Sequence, residues 1–109
     1  MNYLKFCGQN QFKPIFDTPS INLKGRNFRV MARPNGLKQS RLGTVVGKKK
    51  LKLAVRRNWV KRIIRESFQA HCLNFKALDV VVIYTAYKLS NAKEMQVCLQ
   101  TQWIKLNQF

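Results

Sequence analysis

Five side chains that can bind anions cluster in one segment of the chain, residues 55–68. They are Arg57, Asn58, Lys61, Arg62 and Arg65. At about 100° per residue on an α-helix, these five fall on one arc of the helix surface. The opposite arc carries Trp59, Val60, Ile63 and Ile64. The segment is therefore predicted to be a helix that packs its apolar side on a sheet and presents its basic side outward.

The basic arc has two interpretations. The commoner interpretation is that the arc is only a solvated helix face. Solvated faces, however, usually mix positive and negative side chains, which gives favourable pairs three or four residues apart. Here Arg57, Lys61 and Arg65 repeat at spacing four, so that like charges repel, and Glu66 is the only acid in the segment. Arginine also presents forked donors that match phosphate oxygens. The pattern favours contact with nucleic acid.

The charge of the whole chain agrees with this interpretation. Twenty-one Lys and Arg face four Asp and Glu among 109 residues, a formal net charge of +17. Self-repulsion of this kind costs stability unless a polyanion neutralises it. Just upstream of the predicted helix, Lys48, Lys49 and Lys50 extend its basic surface. Nucleic acid is the expected partner, and an anionic membrane surface is the alternative.

The membrane alternative has little support in the sequence. The longest apolar run, residues 80–84, has the length of a strand, whereas a spanning helix needs roughly eighteen residues or more. The first eight residues lack the pattern of a signal peptide. Cys7, Cys72 and Cys98 show neither disulfide nor ligand spacing, which indicates reduced thiols and a cytoplasmic protein.

RNA is favoured over DNA as the nucleic acid. Phe12, Phe16 and Phe28 lie among basic residues, and exposed aromatic rings stack on single-stranded bases. Burial of these rings in the core is the alternative. No helix-turn-helix spacing points to binding in a DNA major groove.

The sequence offers little for catalysis by the protein itself. General acid–base or metal chemistry needs clustered donors, but the four carboxylates are scattered and His71 is the only histidine. His71 beside Cys72 has no ligand-spaced partners, so that no zinc site is expected. Gly43 and Gly47-Lys48 lack the glycine spacing of a phosphate-binding loop, and Lys49 replaces its Ser or Thr. We therefore expect no catalytic side chain and no metal held by the protein.

Periodicity and turn signals place these residues in one domain, residues 1–109, with the order α-β-β-β-α-β-α. The predicted elements are a helix over 10–16, strands over 20–23, 26–33 and 41–47, a helix over 53–71, a strand over 79–86 and a helix after Asn91. The strand over 79–86 is expected to be buried on both faces. Asn91 and Glu94 resemble a capping box. The fold class is α+β, a single-domain α/β sandwich.

Two stretches resemble the signature of the bacterial ribonuclease P protein subunit. They read Arg41-Leu-Gly-Thr-Val-Val-Gly-Lys-Lys49 and Ala54-Val-Arg-Arg-Asn-Trp-Val-Lys-Arg-Ile-Ile-Arg-Glu66. In that family an Arg-Asn-Arg motif, a Lys-Arg pair and a further Arg share one helix, after a strand that ends in two lysines. Two positions depart from the pattern: Trp59 replaces the third residue of the motif, and Met31 stands where the family often has an aromatic residue.

The resemblance implies a fold and a function. The fold has three helices on a four-stranded sheet, with a left-handed βαβ crossover that the family shares with some ribosomal domains, against the general right-handed rule. The function is that of a subunit of an endonuclease whose RNA, with Mg²⁺, hydrolyses the phosphodiester that joins the 5′ leader to precursor tRNA. The implied contacts with this RNA are Lys48, Lys49, Arg57, Asn58, Lys61, Arg62 and Arg65. The implied leader-binding groove is lined by Phe12, Phe16, Phe28 and Val30.

Two functional hypotheses follow. The first is a ribonuclease P subunit that binds the catalytic RNA and the leader, without membrane or DNA partners. The second is a structural RNA-binding protein of ribosomal type with no role in tRNA processing. The helix motif favours the first, because a ribosomal protein has no reason to carry this set of side chains after this strand.

Overall fold

The computed structural model describes residues 4–5, 15, 17–48, 51–71, 77–86 and 91–108. The described strands are β1 (Leu4–Lys5), β2 (Ile21–Lys24), β3 (Phe28–Pro34), β4 (Arg41–Val45) and β5 (Leu78–Tyr84). The helices are α1 (Ala54–His71) and α2 (Ala92–Leu106). Most of the predicted helix over 10–16 lies outside the described residues, although Ile15 and Asp17 are in helical conformation. The other predicted elements are present, with ends that shift by one or two residues.

The strands form one mixed sheet in the order β1-β4-β5-β3-β2. Strand β3 runs antiparallel to both β2 and β5, and β4 runs parallel to β5. The α+β class and the four predicted strands are confirmed, and β1 adds a short parallel strand beside β4 that was not predicted. Helix α1 connects the parallel strands β4 and β5. The left-handed sense of this crossover stays a prediction.

Both helices pack on one face of the sheet. Strand β3 contributes Phe28, Val30 and Ala32 to this core, and β5 contributes Leu78, Val80, Val82 and Tyr84. The helices contribute Val60, Ile63, Ile64, Phe68, Met95, Leu99, Trp103 and Leu106. The rings of Phe68 and Trp103 meet edge to face with centroids 5.4 Å apart, and Trp103 Nε1 donates a hydrogen bond to Ser67 Oγ at 2.8 Å. These contacts hold α1 and α2 together and fix the apolar side of α1 inward.

The start of α2 has the predicted cap. Asn91 is its N-cap residue, and Asn91 Oδ1 accepts a hydrogen bond from the backbone N–H of Glu94 at 2.8 Å. This satisfies one of the amides that a helix N-terminus leaves unpaired. The apolar stripe of α2, formed by Met95, Leu99, Trp103 and Leu106, is buried throughout.

The opposite face of the sheet carries a smaller apolar cluster. Met31 and Val81 pack there against Ile15, with the half-buried Val45 and Ile83 beside them. Strand β5 is thus buried on both faces, as predicted for residues 79–86. We call this side of the sheet the second face, and it also carries the charged residues of β3.

A close contact fixes the turn between β2 and β3 against α2. Gln102 is buried, and its Nε2 donates a hydrogen bond to the carbonyl oxygen of Phe28 at 2.8 Å. The backbone N–H of Gly25 donates to the same oxygen at 2.8 Å. A Cβ atom on Gly25 would lie 2.6 Å from Gln102 Nε2 and 3.0 Å from the Phe28 oxygen. A side chain at position 25 therefore requires the Gln102 amide to move.

Replacing Gly25 by Ala is expected to lower the free energy of unfolding by about 1–3 kcal/mol, because the added methyl group displaces Gln102 and disrupts its hydrogen bond. Urea denaturation measures the loss. A second Gln102→Ala substitution removes the clashing amide, so the double variant should lose less than the sum of the single losses. Strict additivity would contradict the contact.

Candidate nucleic-acid interface

Helix α1 starts from a loop that one of its own arginines holds in place. The backbone N–H groups of Arg56 and Arg57 both donate to the carbonyl oxygen of Leu53 at 3.1 Å. The Nη1 of Arg57 donates to the carbonyl oxygens of Leu51 at 2.9 Å and Lys52 at 2.8 Å. The first turn contains no acidic residue. Arg57, predicted as an RNA contact, therefore has a structural role in the free protein and adds positive charge at the helix N-terminus.

The predicted basic arc is present on the outer side of α1. Asn58 and Arg62 are exposed, and Lys61 and Arg65 are half-buried. Within the described part of the chain, Asn58, Lys61 and Arg65 make no hydrogen bond or ion pair with another side chain. Their polar groups remain available to a ligand on this side of the helix.

Arg62 differs from its neighbours because it has an acidic partner. Its Nε lies 3.0 Å from Glu66 Oε1, one helical turn away, with both side chains largely exposed. Exposed pairs of this kind contribute only about 0.3–0.5 kcal/mol. The pair constrains Arg62 weakly, so that a phosphate can replace Glu66 as its partner.

Trp59 lies at the edge of the apolar arc of α1, which faces the core. Val60, Ile63, Ile64 and Phe68 are buried in the core. Trp59 is half-buried and packs against the same core, as its place on the apolar arc predicts. The residue at the third motif position therefore supports packing of the helix.

The basic loop between β4 and α1 is described in part. Lys48 is exposed, whereas Lys49 lies outside the described residues, as does Lys50. Leu51 is buried, and its backbone N–H donates to the carbonyl oxygen of Gly47 at 3.2 Å. This anchor holds Lys48 on the same connection that leads into the basic helix.

The predicted leader-binding groove requires a correction. Phe12 and Phe16 lie outside the described residues. Phe28 and Val30 are fully buried under the helices, and the ring of Phe28 packs against Tyr84 at a centroid distance of 5.7 Å. Neither side chain has surface for a ligand, so the prediction was wrong for both. Alternate residues of a strand point to opposite faces, and these two point to the helix-covered face.

The second face carries the polar residues of β3 that the leader-groove prediction left out. Arg29 Nε donates to Asn22 Oδ1 at 3.0 Å, and Arg33 Nη1 donates to Thr18 Oγ1 at 3.2 Å. Both arginines are half-buried and flank the buried Met31. Because successive side chains of a strand alternate between its faces, Arg29, Met31 and Arg33 share one face. Shifting the predicted groove by one residue along the strand moves it from Phe28 and Val30 to Arg29 and Met31, on the face that also carries Arg33.

One further arginine on the second face is neutralised internally. Arg41 and Asp79 are opposite residues of β4 and β5, joined by two hydrogen bonds of 2.7 and 2.6 Å. Asn35 Nδ2 adds a bond of 3.0 Å to the same carboxylate. The hydrogen bond to Asp79 raises the pKa of Arg41, and the attraction to its charge adds to the effect, against an opposing effect of burial. This cluster ties the β3–β4 loop to the sheet.

Replacing Arg57 by Ala is expected to lower the free energy of unfolding by about 1–3 kcal/mol, because the carbonyl groups of Leu51 and Lys52 lose a charged donor. Thermal denaturation measures this loss. Arg56→Ala is the matched control, since Arg56 is an exposed neighbour on the same turn and should change stability much less. Equal stability of the Arg57→Ala variant and the unmodified protein would exclude the structural role.

Candidate catalytic or membrane features are scarce in the described ranges. Residues 4–5, 15, 17–48, 51–71, 77–86 and 91–108 contain no group of three or more His, Cys, Asp or Glu side chains that could hold a metal ion. Neither α1 nor α2 is long and apolar enough to cross a membrane. Among the described residues, the basic arc of α1 is the surface best suited to bind a ligand.

Comparison with known proteins identifies the same family from sequence and from fold. A model of the family "Ribonuclease P" matches residues 3–107. The ribonuclease P protein component of Stutzerimonas stutzeri is 51% identical over 73 residues, which cover 67% of this chain and 56% of that protein. The Pseudomonas aeruginosa protein of the same name is 48% identical over 73 residues, 67% of this chain and 54% of that protein. The matched segment thus spans about half the length of these relatives.

Solved structures match over a larger share of the chain. The RNase P protein of Staphylococcus aureus superposes with a TM-score of 0.83 at 29% identity, covering 94% of this chain and 95% of that one. The RNase P protein of Thermotoga maritima gives a TM-score of 0.75 at 31% identity and covers 90% of each chain. The fold described above is therefore that of these proteins.

Proposed function

Because the chain belongs to the bacterial ribonuclease P protein family, we propose that it binds the catalytic RNA subunit of ribonuclease P and the 5′ leader of precursor tRNA. In this role it assists the endonucleolytic removal of the leader during tRNA maturation. The RNA performs the hydrolysis. The protein supplies binding and positioning, and acts in the cytoplasm without membrane or DNA partners.

The proposal rests on the basic arc on the outer side of α1, whose cations lack strong anionic partners within the part of the protein that the structure describes. Lys61 and Arg65 lie one turn apart and have no anionic partner in the described ranges, and Arg62 has only an exposed one. Within the protein this repetition of positive charge is unfavourable. Against an RNA backbone it becomes favourable, because each phosphate contact releases condensed counterions. The helix is thus suited to a polyanion held along its axis.

The second face supports leader binding. Arg29 and Arg33 present cations on either side of the buried Met31, and the half-buried Val45 and Ile83 of the same face supply the apolar surface. A single strand needs phosphate contacts together with apolar surface for its bases. We therefore assign the leader to the second face, with Arg29 and Arg33 in place of Phe28 and Val30. Phe12 and Phe16 remain predicted contacts of the leader.

The magnesium ions of the reaction are assigned to the RNA. Asp79 is engaged by Arg41 and Asn35, and Glu66 pairs with Arg62. Mg²⁺ favours clustered oxygen ligands, and the described carboxylates are dispersed over the fold. These side chains do not fit a magnesium site. The protein instead provides positive charge beside the RNA, which lowers the repulsion between its phosphates.

The test of the proposal is the dependence of substrate affinity on the leader. The complex of the protein with a bacterial ribonuclease P RNA should bind precursor tRNA more tightly than mature tRNA, and the RNA alone should discriminate less. Replacing Arg29 and Arg33 together by Ala should remove the added discrimination while binding of the RNA subunit remains. If the protein raises the affinity for both tRNAs equally, it has no leader-binding role.

A further inference from the structure

A small cavity lies between the β2–β3 turn and the first turns of α2. Its volume is about 240 Å³. The lining residues are Arg26, Asn27, Lys93, Glu94, Val97 and Cys98. None of them belongs to the outer arc of α1 or to the second face. The cavity is therefore separate from the surfaces to which the proposed function assigns RNA.

The walls of the cavity are held by contacts within the protein. Asn27 is buried, and its carbonyl oxygen accepts a hydrogen bond from the backbone N–H of Thr85 at 2.9 Å. Its Nδ2 donates to Cys98 Sγ at 3.7 Å, which joins the turn to α2. On the helix side, the cap formed by Asn91 fixes the backbone of Glu94. The cavity is thus formed before any ligand arrives, and a ligand has little ordering to induce.

Besides Asn27, the side chains that line the cavity are of three kinds: apolar, cationic and anionic. Val97 and Cys98 give an apolar wall, and Val97 is 55% exposed. Arg26 and Lys93 are exposed cations at the rim. Glu94 is an exposed carboxylate beside them, and ionised carboxylates only accept hydrogen bonds. A matching ligand has a flat apolar body, a donor group at its edge and an anionic attachment.

We propose that this cavity receives one unpaired nucleobase of the RNA partner. An unstacked base has the required apolar faces, its exocyclic amine donates to a carboxylate, and its phosphates can contact the rim cations. The volume lies just below that of typical small-molecule sites of about 300 Å³ and more, which suits a single base. Glu94 favours cytosine, adenine or guanine, which carry exocyclic amines, over uracil. This inference rests on the proposed function, because it takes the partner to be RNA.

The alkylation rate of the Cys98 thiol measures whether the cavity is occupied. We expect N-ethylmaleimide to alkylate Cys98 in the free protein, and mass spectrometry of the α2 peptide distinguishes this thiol from Cys7 and Cys72. A base in the cavity would cover the thiol, so that alkylation should slow in proportion to the fraction of protein bound by the ribonuclease P RNA. An unchanged rate at saturating RNA would overturn the proposal.

A matched pair of variants separates base insertion from general coverage by RNA. Val97→Asp changes the apolar wall of the cavity, whereas Ile104→Asp makes the same charge change at another exposed position of α2, outside the cavity. Loss of a bound base typically costs about 1–3 kcal/mol, so Val97→Asp should lower the affinity for the RNA roughly tenfold more than Ile104→Asp. Equal affinities would overturn the cavity proposal alone. If the unmodified protein does not bind the RNA, the proposed function fails with it.

Discussion

Replacing Lys61 and Arg65 together by Ala is expected to lower the affinity for the ribonuclease P RNA by about a hundredfold or more. Hydrogen bonds to charged groups contribute about 1.5–3 kcal/mol each, which is at least about tenfold per contact. Stability of the protein should stay constant or rise. Alanine has the highest helix propensity, and the substitutions relieve like-charge repulsion along α1. If the arc contacts RNA, the double variant should lose affinity for the RNA without losing stability.

The salt dependence of binding identifies the cause of that loss. If each side chain neutralises one phosphate, the slope of log K against log salt should become shallower by about 1.4–1.8 for the pair, at about 0.7–0.9 per contact. Lys38→Ala is the matched control, since Lys38 is an exposed cation in the β3–β4 loop and is not part of α1. If the double variant keeps the original slope, Lys61 and Arg65 are merely solvated.

Replacing Asp79 by Ala is expected to lower the free energy of unfolding by about 2–4 kcal/mol. Breaking a fully buried ion pair from one side costs about 3–5 kcal/mol, and the 29% exposure of the Arg41 side chain reduces this value. The substitution leaves Arg41 without its carboxylate and removes an acceptor from Asn35. For a chain of this length the melting temperature should fall by roughly 10 °C or more.

A double variant tests whether the loss comes from the ion pair. Adding Arg41→Met to Asp79→Ala removes the uncompensated charge, so the double variant should recover part of the stability. If its loss equals the sum of the two single losses, the ion pair contributes no coupling. The bonds to Asn35 would then account for the effect of Asp79.

The basic arc of α1 could be predicted from sequence because it depends only on local periodicity. The spacing of Val60, Ile63, Ile64 and Phe68 fixes which side of the helix is buried, and the charged side follows from it. The β5 segment could be predicted for a similar reason, since a continuous apolar run must be buried on both faces. In both cases the residue pattern within one element determines which of its sides are buried.

The leader-binding residues of β3 could not be chosen in this way. Both faces of the strand contain an apolar side chain that is buried, Val30 on one and Met31 on the other. Alternation defines two faces but does not say which one the helices cover. That choice depends on α1 and α2, which are distant in sequence. The pairing of Asn27 with Cys98, 71 positions apart, is likewise a product of the tertiary fold.

The most direct test of the proposed role is leader release from precursor tRNA by a bacterial ribonuclease P RNA at low magnesium. We predict that the protein accelerates release over RNA alone, and that the Lys61→Ala/Arg65→Ala variant gives much less acceleration than the Lys38→Ala control at equal concentration. A protein that binds the RNA to saturation and leaves the rate of release unchanged would contradict the account.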